Sequence, residues 1–231
     1  MSVWIWGLLG CGTKLVMPEN PTAPWSYSVE MVNTLDFENP NIPDEAIEYR
    51  ATVQLNTQSV NRDDSLTLDV TFVDVQSRVE QDWTHHDLTG AQFVVRVFPW
   101  GELLTVEGWS TLPSEDAQWL DFLVGALFPN PPKRKSQQWD NRMLPWPYFL
   151  SQMDHSKQIV MADWQRNEDR TWTYEGDYYG KLIRTELFTG TANGRVTASN
   201  VWVDEHTFEW VRQIEQPIAL TQQITGRIEK Q

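Results

Sequence analysis

The sequence predicts a mainly β (α+β) chain of about nine or ten strands with one or two short helices. Three observations predict it. Apolar residues recur at every second position in several separate runs, turn-forming residues stand between the runs, and one stretch alone carries helical spacing. A period of two sends successive side chains to opposite faces, so each such run reads as a half-buried strand.

The first clear run alternates Tyr49, Ala51, Val53 and Leu55 with Arg50, Thr52, Gln54 and Asn56. After the turn Asn61-Arg62-Asp63-Asp64, Leu66, Leu68, Val70 and Phe72 alternate with Thr67, Asp69 and Thr71, which predicts an antiparallel hairpin. Residues 76–90 are polar and contain His85-His86. Phe93 to Phe98, the turn Pro99-Trp100-Gly101, and Glu102 to Trp109 predict a second hairpin. The helix begins after Pro113: Ser114 caps it, and Glu115 and Asp116 suit its positive N-terminus. Ala117, Leu120, Leu123, Val124 and Leu127 then repeat at helical spacing up to Pro129.

Residues 128–149 hold five prolines and the one basic cluster, Lys133-Arg134-Lys135, and predict an irregular loop that displays Trp139 and Trp146 for contacts. The basic run reads as a solvated turn rather than a contact for anionic headgroups. The C-terminal third predicts strands at Trp172 to Tyr179, Leu182 to Phe188, Gly194 to Val203, Thr207 to Ile214 and Ile218 to Ile228. Gly176, Gly190, Asn193-Gly194, Asp204-Glu205 and Gln216-Pro217 punctuate them.

The N-terminus points to export. Residues 1–10, MSVWIWGLLG, are uncharged and almost wholly apolar or small, as in a secretory signal. Leu8-Leu9-Gly10-Cys11 resembles the bacterial lipobox, with an aliphatic residue three positions before the cysteine and a small one immediately before it. That resemblance implies cleavage before Cys11, a diacylglyceryl group on its thiol and acylation of its new amino group. Several acyl chains on one residue anchor durably, where one chain binds only marginally. The expected organisation is a signal peptide at 1–10, a lipidated cysteine and proline-rich linker at 11–26, and one β-rich domain at 27–231. Gly12, in place of Asp, leans toward the outer membrane and the periplasmic side. No later apolar run approaches the ~20 residues of a spanning helix.

Composition narrows the partners. The 231 residues carry a formal net charge of -14, a surface that repels nucleic acid. Cys11 is the one cysteine, so the domain has no internal disulfide. The 13 tryptophans suit a β-rich core more readily than an aromatic ligand groove.

Leu127-Phe128-Pro129-Asn130-Pro131-Pro132, then Trp139, then the closing run from Gly194-Arg195-Val196 through Val201-Trp202-Val203-Asp204 to Phe208-Glu209-Trp210 give a recognisable order of elements. It resembles a family of uncharacterised bacterial lipoproteins similar to the half-barrel lipoprotein carriers, which include the periplasmic lipoprotein chaperone and its outer-membrane receptor. The resemblance implies a curved antiparallel sheet or half-barrel that holds acyl chains on its concave face, over roughly residues 45–230. Residues Val53, Leu55, Leu68, Val70, Val95 and Val97 are the lining candidates, although most of them read equally as filled core.

The chemistry of an enzyme is not visible. His85, His86, His155 and His206 do not fall at metal-ligand spacing, so no metal is expected. There is no nucleophile elbow and no phosphate-cradling glycine loop. Three readings follow: an envelope lipoprotein binding a lipid or other hydrophobe, a scaffold or assembly lipoprotein of an envelope complex, and, behind both, a carboxylate-dependent hydrolase. No catalytic residue and no cofactor beyond the acyl groups on Cys11 is expected.

Overall fold

The computed structural model describes residues 24–80, 82–85, 87–98, 103–108, 123, 125–129, 138–143, 157–167, 171–182, 186–199, 202–214 and 219–231. It is an open, curved antiparallel sheet with almost no helix. The strands are β1 (Trp25–Phe37), β2 (Glu45–Val60), β3 (Leu66–Arg78), β4 (Thr84–His85), β5 (Gln92–Val97) and β6 (Leu103–Glu107) in the first half. The second half holds β7 (Gln138–Met143), β8 (Lys157–Arg166), β9 (Thr171–Leu182), β10 (Glu186–Ser199), β11 (Trp202–Ile214) and β12 (Leu220–Lys230).

The order across the sheet is β6-β5-β3-β2-β1-β12-β11-β10-β9-β8-β7, with the short β4 attached to β3. Each half is therefore a meander of sequential neighbours. The halves meet where β1 pairs with β12, with Val29 opposite Ile228 and Met31 opposite Gly226. β6 and β7 are the two edges, and among the described residues no ladder joins them.

Alternation sorts the side chains onto two faces. Trp25, Tyr27, Val29 and Met31 of β1 are buried, as are Leu66, Leu68, Val70 and Phe72 of β3 and Phe93, Val95 and Val97 of β5. Bulges adjust the count, and two of them bear on which side chains reach the inner face. Val73 is the extra residue on β3, because Thr52 pairs with Asp74 and Val53 with Phe72. An added residue shifts the alternation by one, so Phe72 and Val75 both point inward and Val73 is left exposed. On β11 the extra residue is Asp204, which lets Val203 and His206 share the inner face.

Packing on the second half relies on size contrast along rows that cross the strands. One inner row runs Met31, Gly226, Phe208, Gly194, Tyr174 and Trp164. A Cβ on Gly226 would overlap the Phe208 ring, and one on Gly194 would overlap the Tyr174 ring. These two glycines stand within strands because their neighbours' rings lie across them. The next row sets Trp210 beside Ala192, Gly176 and Ala162, so the largest side chain is met by the smallest.

The mainly β class and the curved sheet agree with expectation, but several elements differ. β1 occupies residues read in part as linker, so the sheet begins at Trp25 and not at 27. Gly190 and Asn193-Gly194 do not end strands: Glu186 to Phe188 of one expected run and Gly194 to Ser199 of the next belong to one strand, Glu186–Ser199, while Leu182 ends the strand before it. The stretch 128–149 contains β7, so Trp139 lies in an edge strand opposite Trp164 and not in a loop. The segment Gln-Trp-Asp-Asn-Arg-Met lacks alternating apolar residues and is drawn into the sheet by backbone pairing with β8. Of the helix expected after Pro113, residues 123 and 125–127 are helical, and the rest lies outside the described residues.

The Gly226 contact is testable. Gly226→Ala should destabilise the domain by about 1–3 kcal/mol through overpacking against Phe208. Phe208→Leu should recover part of that loss in the double variant, giving a clear coupling in denaturant unfolding. Additive losses would show that the ring and the glycine are independent.

Candidate functional site

The six lining candidates come together on the inner face of the first half. Val53 and Leu55 stand on β2, Leu68 and Val70 on β3, and Val95 and Val97 on β5. Leu55 is paired with Val70, and Leu68 with Val95. All six are 0–1% exposed and belong to one continuous apolar cluster with Phe72, Leu88 and Phe93. Phe72 and Phe93 rings sit 5.8 Å apart at the end of this patch. In the same cluster Tyr27 stands opposite Val53 and Trp25 opposite Leu55, so a phenol and an indole lie beside the aliphatic side chains. Cys11 and Trp146 lie outside the described residues, and of Trp139 the strand position alone is described.

The inner face of the second half differs in chemistry. Trp164, Trp172, Tyr174, Phe208 and Trp210 are all buried there, together with His206. Trp164 and Tyr174 rings are 4.9 Å apart, Tyr174 and His206 5.8 Å, and His206 and Phe208 5.3 Å. Tilted contacts at these separations are favourable for aromatic rings. The helical segment meets this half at Ala126, whose carbonyl lies at His206, and Leu123, Ala126, Leu127 and Phe128 are buried in the cluster that runs across both halves.

His206 ties that cover to the sheet. Its Nδ1 is 2.8 Å from the Ala126 carbonyl oxygen, and its Nε2 is 3.1 Å from the Tyr174 hydroxyl. A carbonyl can only accept, so Nδ1–H donates to Ala126 and Nε2 accepts from the Tyr174 O–H. Burial lowers the imidazole pKa to about 4, and the hydrogen bond to Ala126 opposes the shift only in part. Burial likewise raises the Tyr174 pKa, against the contribution of Trp210, which favours the phenolate. Both groups are therefore neutral near pH 7. The cross-strand partners of His206 are Val196 and Ile228, which bring no compensating charge.

Among the described residues Trp164 Nε1, on a side chain 1% exposed, is buried without a hydrogen-bond partner, as are Thr57 Oγ1 and Arg78 Nε. Such orphans are few in native proteins, because each forfeits its hydrogen bond to water.

The outer face carries two shallow troughs of about 610 and 330 Å³. They lie along the row that includes Phe208, Gly194 and Gly226. Their walls are solvent-facing side chains: Asp163, Glu175 and Glu209 on one side of the larger trough, Gln165, Arg195 and Thr207 on the other. Around the smaller trough, the Arg50 guanidinium stacks 4.3 Å from the Trp83 ring centre and Arg78 stacks 4.9 Å from it. This face is wet and charged, unlike the inner one.

The carboxylate with a shifted pKa is Asp63, held at about 2 by hydrogen bonds from Ser65 and Arg96. A general acid requires a shift in the other direction. Among the described residues no three metal-ligating side chains come together, and His85, exposed on β4, pairs with Asp74 at 3.4 Å. No described helix is long and apolar enough to cross a membrane.

No family model matches the chain, and no curated protein does. Among solved structures it is similar to the S-type phycobiliprotein lyase CPES from Guillardia theta, with 6% identity, 92% of this chain and 89% of that one covered, and a TM-score of 0.31. It is also similar to DynF from the dynemicin biosynthesis pathway of Micromonospora chersina, with 7% identity, 98% and 92% covered, and a TM-score of 0.27. Likeness at this level carries no argument about function.

Sequence reasoning missed the polar trio Trp164, Tyr174 and His206. The signal available to it was weak: a histidine within a strand run, placed inward only by the bulge at Asp204.

His206 makes stability depend on pH. Its folded pKa is about 4 and its unfolded value about 6.5, so between these values the unfolded chain binds more protons. The contribution is complete above about pH 6.5, falls as pH falls through the window, and levels off below about pH 4. Its size is on the order of 3 kcal/mol. Unfolding free energies from pH 7 to pH 4 should show this slope in the natural chain and lose it in His206→Leu; equal slopes in both would assign the acid sensitivity to other groups.

Proposed function

We propose that this chain is a membrane-anchored envelope lipoprotein, held through acylated Cys11 at the outer membrane, whose half-barrel binds a lipid or other hydrophobic ligand without transforming it. The observation that carries the binding reading is the inner face. Apolar side chains run without a break from β5 to β8, and the described cover over the second half is one short helical segment. A curved sheet with an apolar concave side and a small detachable cover is suited to exchanging a hydrophobe for its own side chains. Anchoring at Cys11 rests on the lipobox resemblance alone.

A second reading is favoured by the outer face. Its rows of exposed acids and arginines across the sheet suit a protein partner better than a lipid. In that reading the protein is a scaffold of an envelope complex, with its inner face a permanent core.

Native mass spectrometry of the full chain, extracted from bacterial envelopes and released from detergent in the gas phase, separates the two. Retention of a non-covalent adduct of lipid mass, beyond the covalent acyl groups, is the expected result. A chain at its acylated mass with no adduct, co-purifying with a stoichiometric protein, would favour the scaffold.

Anchoring has its own check. Cys11→Ser should abolish incorporation of radiolabelled palmitate and move the protein from the membrane to the soluble fraction. Unchanged membrane fractionation of the unlabelled variant would overturn the lipid anchor.

A further inference from the structure

We propose that the outer face binds a neutral, extended oligosaccharide, a β-1,4-linked chain of hexose or N-acetylhexosamine units, in the furrow that the two troughs form together across the sheet. The inference is independent of what the inner face holds.

Strand register makes the two troughs one furrow. The larger reaches β11 at Thr207 and Glu209, and the smaller continues on β12 at Arg227 and Thr225. These are cross-strand partners, Thr207 with Arg227 and Glu209 with Thr225. Each of the seven strands from β8 to β2 adds one pair of outward side chains, two residues apart, to the walls. The furrow opens between Asp163 and Gln165 on β8 and closes between Glu48 and Arg50 on β2. Between the walls Trp164, Tyr174, Phe208 and Met31 turn inward, so the floor is backbone. The register shift between β10 and β11 falls at Thr197 and Ala198, outside the furrow.

The dimensions suit an extended sugar chain. Neighbouring strands lie roughly 4.8 Å apart, so the seven span roughly 29 Å and offer a new wall pair at each step. A pyranose unit of an extended chain is about as long as one such step, so successive sugars meet successive wall pairs. A peptide strand joins a sheet at an open edge, whereas this floor is already paired on both sides. An α-helix, about 10–12 Å across, is wider than walls set roughly 6.8 Å apart.

The wall chemistry suits a neutral ligand. Arg227 pairs with Glu205 at 3.0 Å and Glu229 at 3.2 Å, and Arg50 pairs with Glu30 at 3.7 Å. Glu209 accepts from Gln223 and Asn193. Groups held by such pairing are preorganised, and little ordering is left to oppose binding. Gln165, Thr173, Thr207 and Thr225 both donate and accept, as sugar hydroxyls do. The net charge of -14 opposes an acidic glycan.

Trp83 supplies the aromatic platform. Pairing of Thr84 with Ser77 brings it over β2 and β3, where its ring centre lies 4.3 Å from the Arg50 guanidinium and 4.9 Å from that of Arg78. These cation–π contacts hold the ring at the end of the furrow, where it lines the smaller trough. An aromatic ring beside polar walls receives the apolar C–H face of a sugar while the walls take its hydroxyls.

Titration calorimetry of the full chain with cellohexaose, chitohexaose and maltohexaose tests the proposal. At least one of the two extended hexamers should bind about tenfold more tightly than maltohexaose, whose α-linkages coil it. Its affinity should change by less than about twofold between low and high ionic strength, since a neutral ligand is not screened. Trp83→Ala should weaken both that hexamer and its trimer about five- to tenfold, and Trp83→Tyr, which keeps a ring, should restore most of the loss. Gln165→Ala, at the far end, should weaken the hexamer about threefold and leave the trimer unchanged, because a trimer seated on Trp83 stops short of β8. Absence of binding by both extended hexamers, or equal affinity for maltohexaose, would overturn the proposal. Sugar binding that neither Trp83→Ala nor Gln165→Ala alters would overturn the furrow as its site. Loss of a co-purifying envelope protein from Trp83→Ala, with no sugar bound by the natural chain, would assign the face to a protein partner instead. None of these results bears on the lipid adduct expected at the inner face, so the two readings fail separately.

Discussion

The pairing of β1 with β12 is the contact on which the rest of the sheet depends. It joins residues from opposite ends of the sequence: Ser26 hydrogen-bonds Gln231 across 205 residues. Each meander is built from local hairpins, which form readily because their loops are short. Neither meander is complete without the other. Until β1 meets β12, both present a long unpaired edge, and the apolar inner face is split into two exposed halves. The entropy of closing so long a loop grows only with the logarithm of its length, so the ladder and the burial of Val29, Met31, Ile224 and Ile228 suffice to hold it. Cooperative unfolding should begin where this ladder parts.

Once the two halves are joined, polar groups finish the ends of the face. Gln222 is buried and bonds Asn33 on β1 and Arg212 on β11, so one side chain stitches three central strands. At the turn between β2 and β3, Asp63 gathers Ser65 and Arg96 into a surface clasp that sets the hairpin register. Neither cluster faces the aliphatic patch. Side chains that carry a polar atom also lie within the buried face, at Tyr27, Trp164, Tyr174, His206 and Trp210.

How much of this was legible in the sequence depends on how local the cause is. The β2–β3 and β5–β6 hairpins were legible, because alternation and turn residues state them within a short window. The inward set Val53, Leu55, Leu68, Val70, Val95 and Val97 followed from the same period. β1 carries an equally plain signal in Trp25, Tyr27, Val29 and Met31, but its partner β12 lies at the far end of the chain. Gly190 and Gly194 misled, since a glycine within a strand looks like a turn until the Val211 backbone close to the one and the Tyr174 ring over the other are known. β7 has no apolar alternation at all, and only the offered edge of β8 makes it a strand. The inward position of His206 depends on the bulge at Asp204, a feature of pairing and not of composition.

The contrast between the halves then has a physical consequence. An aliphatic face gains stability from area alone and is indifferent to what covers it, provided the cover is apolar. A face with an imidazole, a phenol and an indole N–H is not indifferent, because each must be matched when water is excluded. The Ala126 carbonyl matches the imidazole and the imidazole matches the phenol, while the indole N–H of Trp164 has no partner among the described residues.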